Sequence, residues 1–245
     1  MAARRLVIGT WLATVVGACG ARPGAGPERP TEPSRRSPDR PEPTAHPTWL
    51  VPSVVLVRDG SGELVPWQAL RGDDVLAPPP DRPWLLAPAE PLTDANAADF
   101  LVPVIDQHIE RVALPDQVFT SGLAIGLGHA NLVELALPRA TIDGASAAVW
   151  PRLTLEQLEL SAATLVPGVL AKIVDASPRL RGLTVTDTPL DAAAIDEIVA
   201  LPALIALGAS GTGVTDLQAA RMVEHVGLEI VALARTGAVA AVPSA

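Results

Sequence analysis

One cysteine, one lysine, two phenylalanines and no tyrosine in 245 residues leave this chain short of the side chains on which site chemistry usually depends. A lone cysteine excludes an intrachain disulfide framework and any zinc site built from several thiolates. Lys172 is the only lysine, and 18 basic residues stand against 27 acidic ones, for a net charge of -9. That balance argues against nucleic acid as a partner, because such affinity comes from neutralising phosphates with Lys and Arg. The four histidines, His46, His108, His129 and His225, include no pair at a metal-ligand spacing such as H-x-x-x-H. None belongs to a recognisable set of nucleophile, base and orienting acid. The expectation is a protein with no metal, no cofactor and no catalytic residue, and hence not an enzyme.

What is present is apolar and unevenly distributed. At 49% hydrophobic the chain can bury a sizeable core. Its first 18 residues begin with Arg4 and Arg5, continue through the apolar run Leu6 to Val16 and end in Gly17 and Ala18. The run is too short for a permanent membrane helix, whereas the order of basic start, apolar centre and small-residue end predicts an export signal over 1–18. Val16-Gly17-Ala18-Cys19 resembles the lipobox of bacterial lipoproteins, where an aliphatic residue and two small ones precede an invariant cysteine. The resemblance implies cleavage before Cys19, lipid on Cys19 and attachment to a membrane of the bacterial envelope. Gly20 in place of an acidic residue implies the outer membrane.

Residues 20–48 hold eight of the 25 prolines and no large apolar side chain. They cannot bury enough surface to offset their ordering entropy, so 19–48 reads as a lipidated cysteine with a disordered, extended tether. Residues 49–91 read as a small β appendage and strap. "SVVLVRDGSGELVPW" predicts two strands around Asp59-Gly60-Ser61-Gly62, and "LAPPPDRPW" cannot continue a ladder. Trp67 and Trp84 are expected to pack this appendage against the next domain.

From residue 92 to 245 the chain repeats itself. Units begin at Ile109, Leu132, Leu155, Leu180, Leu204 and Leu228, and each opens with an alternating apolar pair such as Val112 and Leu114 or Leu158 and Leu160. Period two is strand chemistry. Later in the units, Ala124 with Leu127, Ala147 with Trp150, Leu170 with Ile173, Ile195 with Ile198 and Ala219 with Met222 lie three apart, on one face of a short helix. Asp191 and Thr215 are expected helix N-caps, and Thr93 is expected to open a capping helix through "DANAADFLVPVI".

"LRGLTVTDTPL" and "LEQLELSAATL" resemble the leucine-rich repeat family in its short, ribonuclease-inhibitor-like form. The resemblance implies an α/β solenoid, with a parallel sheet on the concave face and helices on the convex one, used as a scaffold for binding. The family's ladder asparagine is replaced here by Gln117, Ala140, Ala163, Thr188, Thr212 and Thr236. Alanine has no side-chain acceptor, so the middle turns are expected to be less regular. "GLGHAN" and "GASGTG" look like phosphate loops but lack the Lys-Ser/Thr of a P-loop and the full G-x-G-x-x-G, and read as backbone accommodation.

The resemblance to leucine-rich repeats implies that side chains two and four places after each start point away from the core. They form one row of Arg111, Glu134, Gln157, Gly182, Ala206 and Ile230, and a second of Ala113, Ala136, Glu159, Thr184, Gly208 and Ala232. The candidate contact residues for a protein partner are Arg111, Glu134, Gln157, Glu159, Thr184 and Ile230. The last strand, near Leu228 to Leu233, has only a short tail after it and is expected either to be covered by that tail or to pair with a second copy. The function expected is a lipid-anchored, protein-binding envelope scaffold. The alternatives are a passive envelope-maintenance lipoprotein without a discrete ligand and, more remotely, an enzyme.

Overall fold

The computed structural model describes residues 48–60, 62–150, 153–224 and 227–233. The predicted leader, Cys19, the tether, His46, His225 and Thr236 lie outside the described residues. The fold is α/β, with a mostly parallel sheet and, among the described residues, six helices. No described helix is long and apolar enough to cross a membrane.

The chain opens with an antiparallel unit of β1 (Trp49–Arg58), β2 (Leu64–Gly72) and β3 (Trp84–Pro88). β1 alternates strictly, with Trp49, Val51, Ser53, Val55 and Val57 buried. The turn between β1 and β2 is closed by Asp59, whose carbonyl accepts from Gly62 N–H and whose carboxylate accepts from Glu63 N–H. The proline-rich stretch after β2 forms no strand, but β3 follows it and pairs with β1. β3 thus lies within the stretch that the sequence predicts to be an irregular strap. Of the tryptophans there, Trp84 packs partly buried against the core, while Trp67 is 53% exposed. Trp67 does not pack because a register shift between Val55 and Leu56 leaves it unpaired on the sheet's edge strand.

After helix α1 (Ala97–Asp106) the pattern becomes strand then helix. β4 (Arg111–Ala113) leads to α2 (Ser121–Leu127), and β5 (Glu134–Ala136) leads through the two-residue β6 (Thr141–Ile142) to α3 (Gly144–Ala148). β7 (Gln157–Glu159) leads through β8 (Thr164–Leu165) to α4 (Val169–Asp175), β9 (Gly182–Thr184) to α5 (Ala192–Ala200), and β10 (Ala206–Gly208) to α6 (Asp216–Val223) before β11 (Ile230–Ala232). One nine-stranded sheet runs in the order β11-β10-β9-β7-β5-β4-β3-β1-β2, and β6 pairs with β8 in a small parallel ladder beside it. The antiparallel unit therefore belongs to the same sheet as the parallel strands, joined through the single pair Leu86 and Val112.

The α1 helix starts at Ala97, later than Thr93, because Asn96 turns back and its side-chain carbonyl accepts from Thr93 N–H instead of capping the helix. Four of the other five described helices have side-chain N-caps, while α4 has Gly168 there, in a left-handed conformation and without a side-chain cap. Thr120, Asp143 and Asp191 accept from the backbone N–H three residues on, and Thr215 forms a reciprocal box with Gln218. The helix pairs spaced by three face inward: Ala124, Leu127, Leu170, Ile173, Ile195, Ile198 and Met222 are all buried. Phe119 and Trp150 stack with ring centroids 5.3 Å apart. One core joins these side chains to Trp49, Val55, Leu70 and Leu86 of the antiparallel unit.

The turns after the strands are more uniform than expected. Asp116, Arg139, Ala162, Asp187 and Gly211 all take left-handed backbone angles, with φ of 55, 58, 53, 56 and 71°. The turns at Ala140 and Ala163 keep the same left-handed residue before the alanine, and among the described residues they alone run on into the small β6–β8 ladder. Ala163 N–H donates to Thr188 Oγ1 of the next unit, so a neighbour supplies the acceptor that Ala163 lacks. Gln117 satisfies both backbone groups of Leu92, and Thr212 donates to Ala209.

Candidate binding face

The strand register sets the two rows side by side. Arg111, Glu134, Gln157, Gly182, Ala206 and Ile230 are successive partners, as are Ala113, Ala136, Glu159, Thr184, Gly208 and Ala232. Between them Val112, Leu135, Leu158, Leu183 and Leu207 point into the core. Alternation alone fixes this, since a slip of one residue would send the leucines to the other face.

The N-terminal part of this face is occupied by the chain itself. Arg58, the last residue of β1, donates to Glu134 at 3.1 Å, to Glu159 at 2.9 Å and to the carbonyl of Gly62 at 3.1 Å. Arg111 donates to the second oxygen of Glu134 at 3.1 Å. β5 and β7 lie three and four places from β1 in the sheet. Across a flat sheet that is about 14 and 19 Å, farther than an arginine and a glutamate reach toward each other. The contact therefore requires the β1–β2 ribbon to coil over the face. Leu56 and Leu64 of that ribbon pack on a second, separate apolar cluster of Leu85, Ala87, Ala113 and Ala136. The alanines allow this approach, because larger side chains at those two row positions would hold the ribbon off.

The electrostatics follow from the packing. Burial works against the charge of Arg58, but the two carboxylates outweigh it and raise its pKa. Ser161 Oγ adds a bond to Glu159 at 3.2 Å. Glu134 is thus buried and spoken for, Glu159 is largely so, and Arg111 is half-exposed at the margin.

The rest of the face is open and smoother. Gln157 is exposed and its amide lies across Gly182, where an added Cβ would fall 1.9 Å from Oε1. Thr184 and Ile230 are half-exposed, and between them Ala206 and Gly208 form a low floor. Beyond β10, Val231 and Leu233 stay half-exposed where their counterparts Leu207 and Ala209 are fully buried.

The structure thus gathers Arg111, Glu134 and Glu159 in one ion-paired group, and sets Gln157, Thr184 and Ile230 apart on the open part. Arg58 was not singled out from the sequence. The available signal was a charge count on the face, where two glutamates faced a single arginine and a second cation was due.

No group of three or more His, Cys, Asp or Glu that could hold a metal occurs among the described residues. A shallow cavity of about 180 Å³ lies between α4 and α5, lined by Leu165, Val166, Leu170, Pro189 and Leu190. Its one charged group, Asp191, is engaged by the N–H groups of Ala194 and Gly168. Compared with known proteins, the chain matches no family model, and no curated protein matches it.

Proposed function

We propose that the chain is a bacterial envelope lipoprotein of leucine-rich-repeat type, anchored by lipid on Cys19, whose sheet face is a scaffold for a protein partner. The observation that carries the solenoid reading is the backbone ladder. The carbonyls of Glu110, Val133, Glu156, Arg181 and Ile205 each accept two N–H groups from the start of the next strand, at 2.7–3.1 Å. One arrangement recurring in unit after unit is the behaviour of stacked repeats. The anchor and its outer-membrane location rest on Val16 to Cys19 and Gly20. The reading needs no catalytic residue, cofactor or nucleic acid. Contact falls on the open part of the face, through Gln157, Thr184 and Ile230, with Glu159 and Arg111 setting orientation at its margin and Glu134 behind them. The half-exposed Val231 and Leu233 give β11 an edge on which a second copy could pair.

One observation favours the alternative of a passive structural lipoprotein: the charged residues of the face are already paired within the chain. Affinity capture from envelope extracts separates the two. On the scaffold reading Thr184→Arg and Ile230→Arg, each with native circular dichroism, lose a captured protein, while Leu217→Arg on the exposed side of α6 retains it. Equal capture by all three variants removes the face from consideration.

A further inference from the structure

We propose that the outer surface of α1, α2 and α3 is a second docking surface, and that its occupant is a protein segment carrying aliphatic side chains bordered on one edge by arginine or lysine. The helices lie on the opposite side of the sheet from the two rows, so this inference stands apart from the scaffold reading above. Three observations point to it.

The first is a break in the pattern of the outward helix positions. α4 exposes Lys172 and Asp175, and α6 pairs Arg221 with Asp196 of α5 at 2.8 Å. By contrast α2 and α3 contain no charged residue at all. Their outward positions are Gly122, Ile125, Ala145 and Ala148, followed by Val149. Ile125 is 53% exposed and Val149 39%, and Val102 of α1 adds a third large apolar side chain at 53%.

The second is that these residues form one surface. An added Cβ on Gly122 would lie 3.1 Å from Asp94 Oδ1, and one on Gly126 would lie 2.6 Å from Leu101 Cδ1, so α1 and α2 run closely side by side in the same direction. Leu101 and Gly126 are the chain neighbours of Val102 and Ile125, which places those two exposed side chains along one seam. α3 packs on α2, and the 23-residue offset that pairs Val118 with Thr141 sets Ala148 beside Ile125 and Ala145 beside Gly122. Glycine and alanine keep the floor low between the larger groups. An exposed apolar surface with charge depleted at its centre and polar groups at its rim is the anatomy of an interaction site.

The third is the charge of the margin. Asp99 and Asp106 stand one turn before and one turn after Val102 on the exposed stripe of α1. Asp94, which accepts from the Thr120 hydroxyl, lies ahead of them. Between residues 93 and 150 the only lysine or arginine residues are Arg111 and Arg139, and these are held by Glu134 and Asp116. No ion pair to Asp94, Asp99 or Asp106 occurs among the described residues. On the far side Lys172 takes in α4 the place that Val149 has after α3. The margin is therefore acidic along α1 and basic only at the single lysine. Charge across an interface selects the partner and sets its orientation. A second copy, equally acidic along α1, matches this margin poorly. A segment with an aliphatic stripe and cations along one edge matches it, with the stripe over α2 and α3 and the cations against α1.

Photocrosslinking of the full-length chain in the cells that produce it tests the proposal. Benzoylphenylalanine in place of Ile125 or of Val149 is expected to join a protein segment whose sequence, read by mass spectrometry, sets aliphatic residues beside arginine or lysine. The same group in place of Leu217, which lies between Asp216 and Gln218 on α6, is expected to give at least about fivefold less of that adduct. Asp99→Arg combined with Asp106→Arg, with native circular dichroism, is expected to cut the yield at position 125 about fivefold or more. Asp99→Asn combined with Asp106→Asn is expected to fall between, and serves if the arginine pair does not fold. An adduct no stronger than at Leu217, an adduct with lipid or with a second copy, a joined segment without basic residues, or a yield indifferent to these substitutions overturns the proposal. Failure of the scaffold reading shows separately, because Thr184→Arg and Ile230→Arg leave the crosslink at position 125 unchanged.

Discussion

Thr188 closes a turn that belongs to another unit: its hydroxyl accepts the N–H of Ala163 at 3.0 Å and donates to the carbonyl of Leu160. One buried side chain thus satisfies two backbone groups 25 and 28 residues before it. Replacing it with alanine leaves the two groups only their long mutual bond, Ala163 N–H to the Leu160 carbonyl at 3.3 Å, a cost of about 1 kcal/mol. Thr188→Ala is therefore expected to lower the urea midpoint clearly, while Thr188→Ser, which keeps the hydroxyl, loses much less. Equal losses would mean that the methyl group and not the hydroxyl matters there.

This contact marks the line between what the sequence reveals and what it hides. The rows of the sheet were legible, since the period-two alternation at Val112 and Leu114, or Leu183 and Val185, is a local property and fixes which side chains share a face. The N-caps at Asp191 and Thr215 were legible for the same reason. The rescue of Ala163 by Thr188 was not, because position-by-position comparison asks each unit to satisfy its own turn. Arg58 was hidden further still. A single arginine in a hairpin has no period, and its partners at Glu134 and Glu159 are reached only when the sheet coils. Trp67 misled because a large aromatic is normally worth burying, and nothing local announces a register shift beside it.

The left-handed turn positions offer a test of backbone strain. Ala162 holds φ at 53° with a Cβ, while Gly211 holds 71° without one. Left-handed geometry costs an L-residue roughly 1–2 kcal/mol, offset in part by the larger unfolded-state freedom of glycine. Ala162→Gly is expected to be neutral or stabilising by up to about 1 kcal/mol. Gly211→Ala is expected to destabilise by more than that, since its Cβ would lie 2.0 Å from Asp187 Oδ1 as well. By contrast Gly182→Ala meets only the movable amide of Gln157 and is expected to cost little. Chemical denaturation of the three variants should rank Gly211→Ala lowest. A rank with Gly182→Ala lowest would show that Gln157 is fixed in place.

Acid is expected to weaken the fold through two helix caps and one ion pair. Backbone N–H donation from Ala194 and then Gly168 lowers the pKa of Asp191, donation from Ser146 lowers that of Asp143, and hydrogen bonding from Arg139 lowers that of Asp116. A carboxylate with a depressed folded-state pKa stabilises the fold above its unfolded value of about 3.9, and that contribution is lost as pH falls through the lower folded value. Stability should therefore be flat in these groups from neutral pH to about 4 and fall below it. Asp191→Asn keeps one acceptor that does not titrate, for Ala194 N–H, but sets its NH2 group against Gly168 N–H, so at neutral pH it should lose roughly the 1 kcal/mol typical of removing a cap with alanine. Its decline between about pH 4 and 2 should be shallower than that of wild type. Thermal midpoints measured across that range decide it, and parallel curves for the two proteins would remove Asp191 from the acid response.

The proposed anchor makes a prediction independent of the folded domain. A single acyl chain holds a protein to a bilayer only marginally, at about 0.8 kcal/mol per buried methylene, whereas several chains hold it stably. A lipid-modified Cys19 should therefore keep the protein with membranes through a salt wash, which removes material held by charge alone. A net charge of -9 already disfavours attraction to an anionic surface. Cys19→Ala is expected either to appear in the soluble fraction with its leader removed elsewhere or to remain uncleaved. Intact mass separates these outcomes, since wild type should begin at Cys19 and carry the added mass of its acyl chains. A Cys19→Ala protein that begins at the same residue and sediments with membranes like wild type would remove Cys19 as the point of attachment. The proline-rich segment after it would then need another explanation than spacing a domain from a lipid surface.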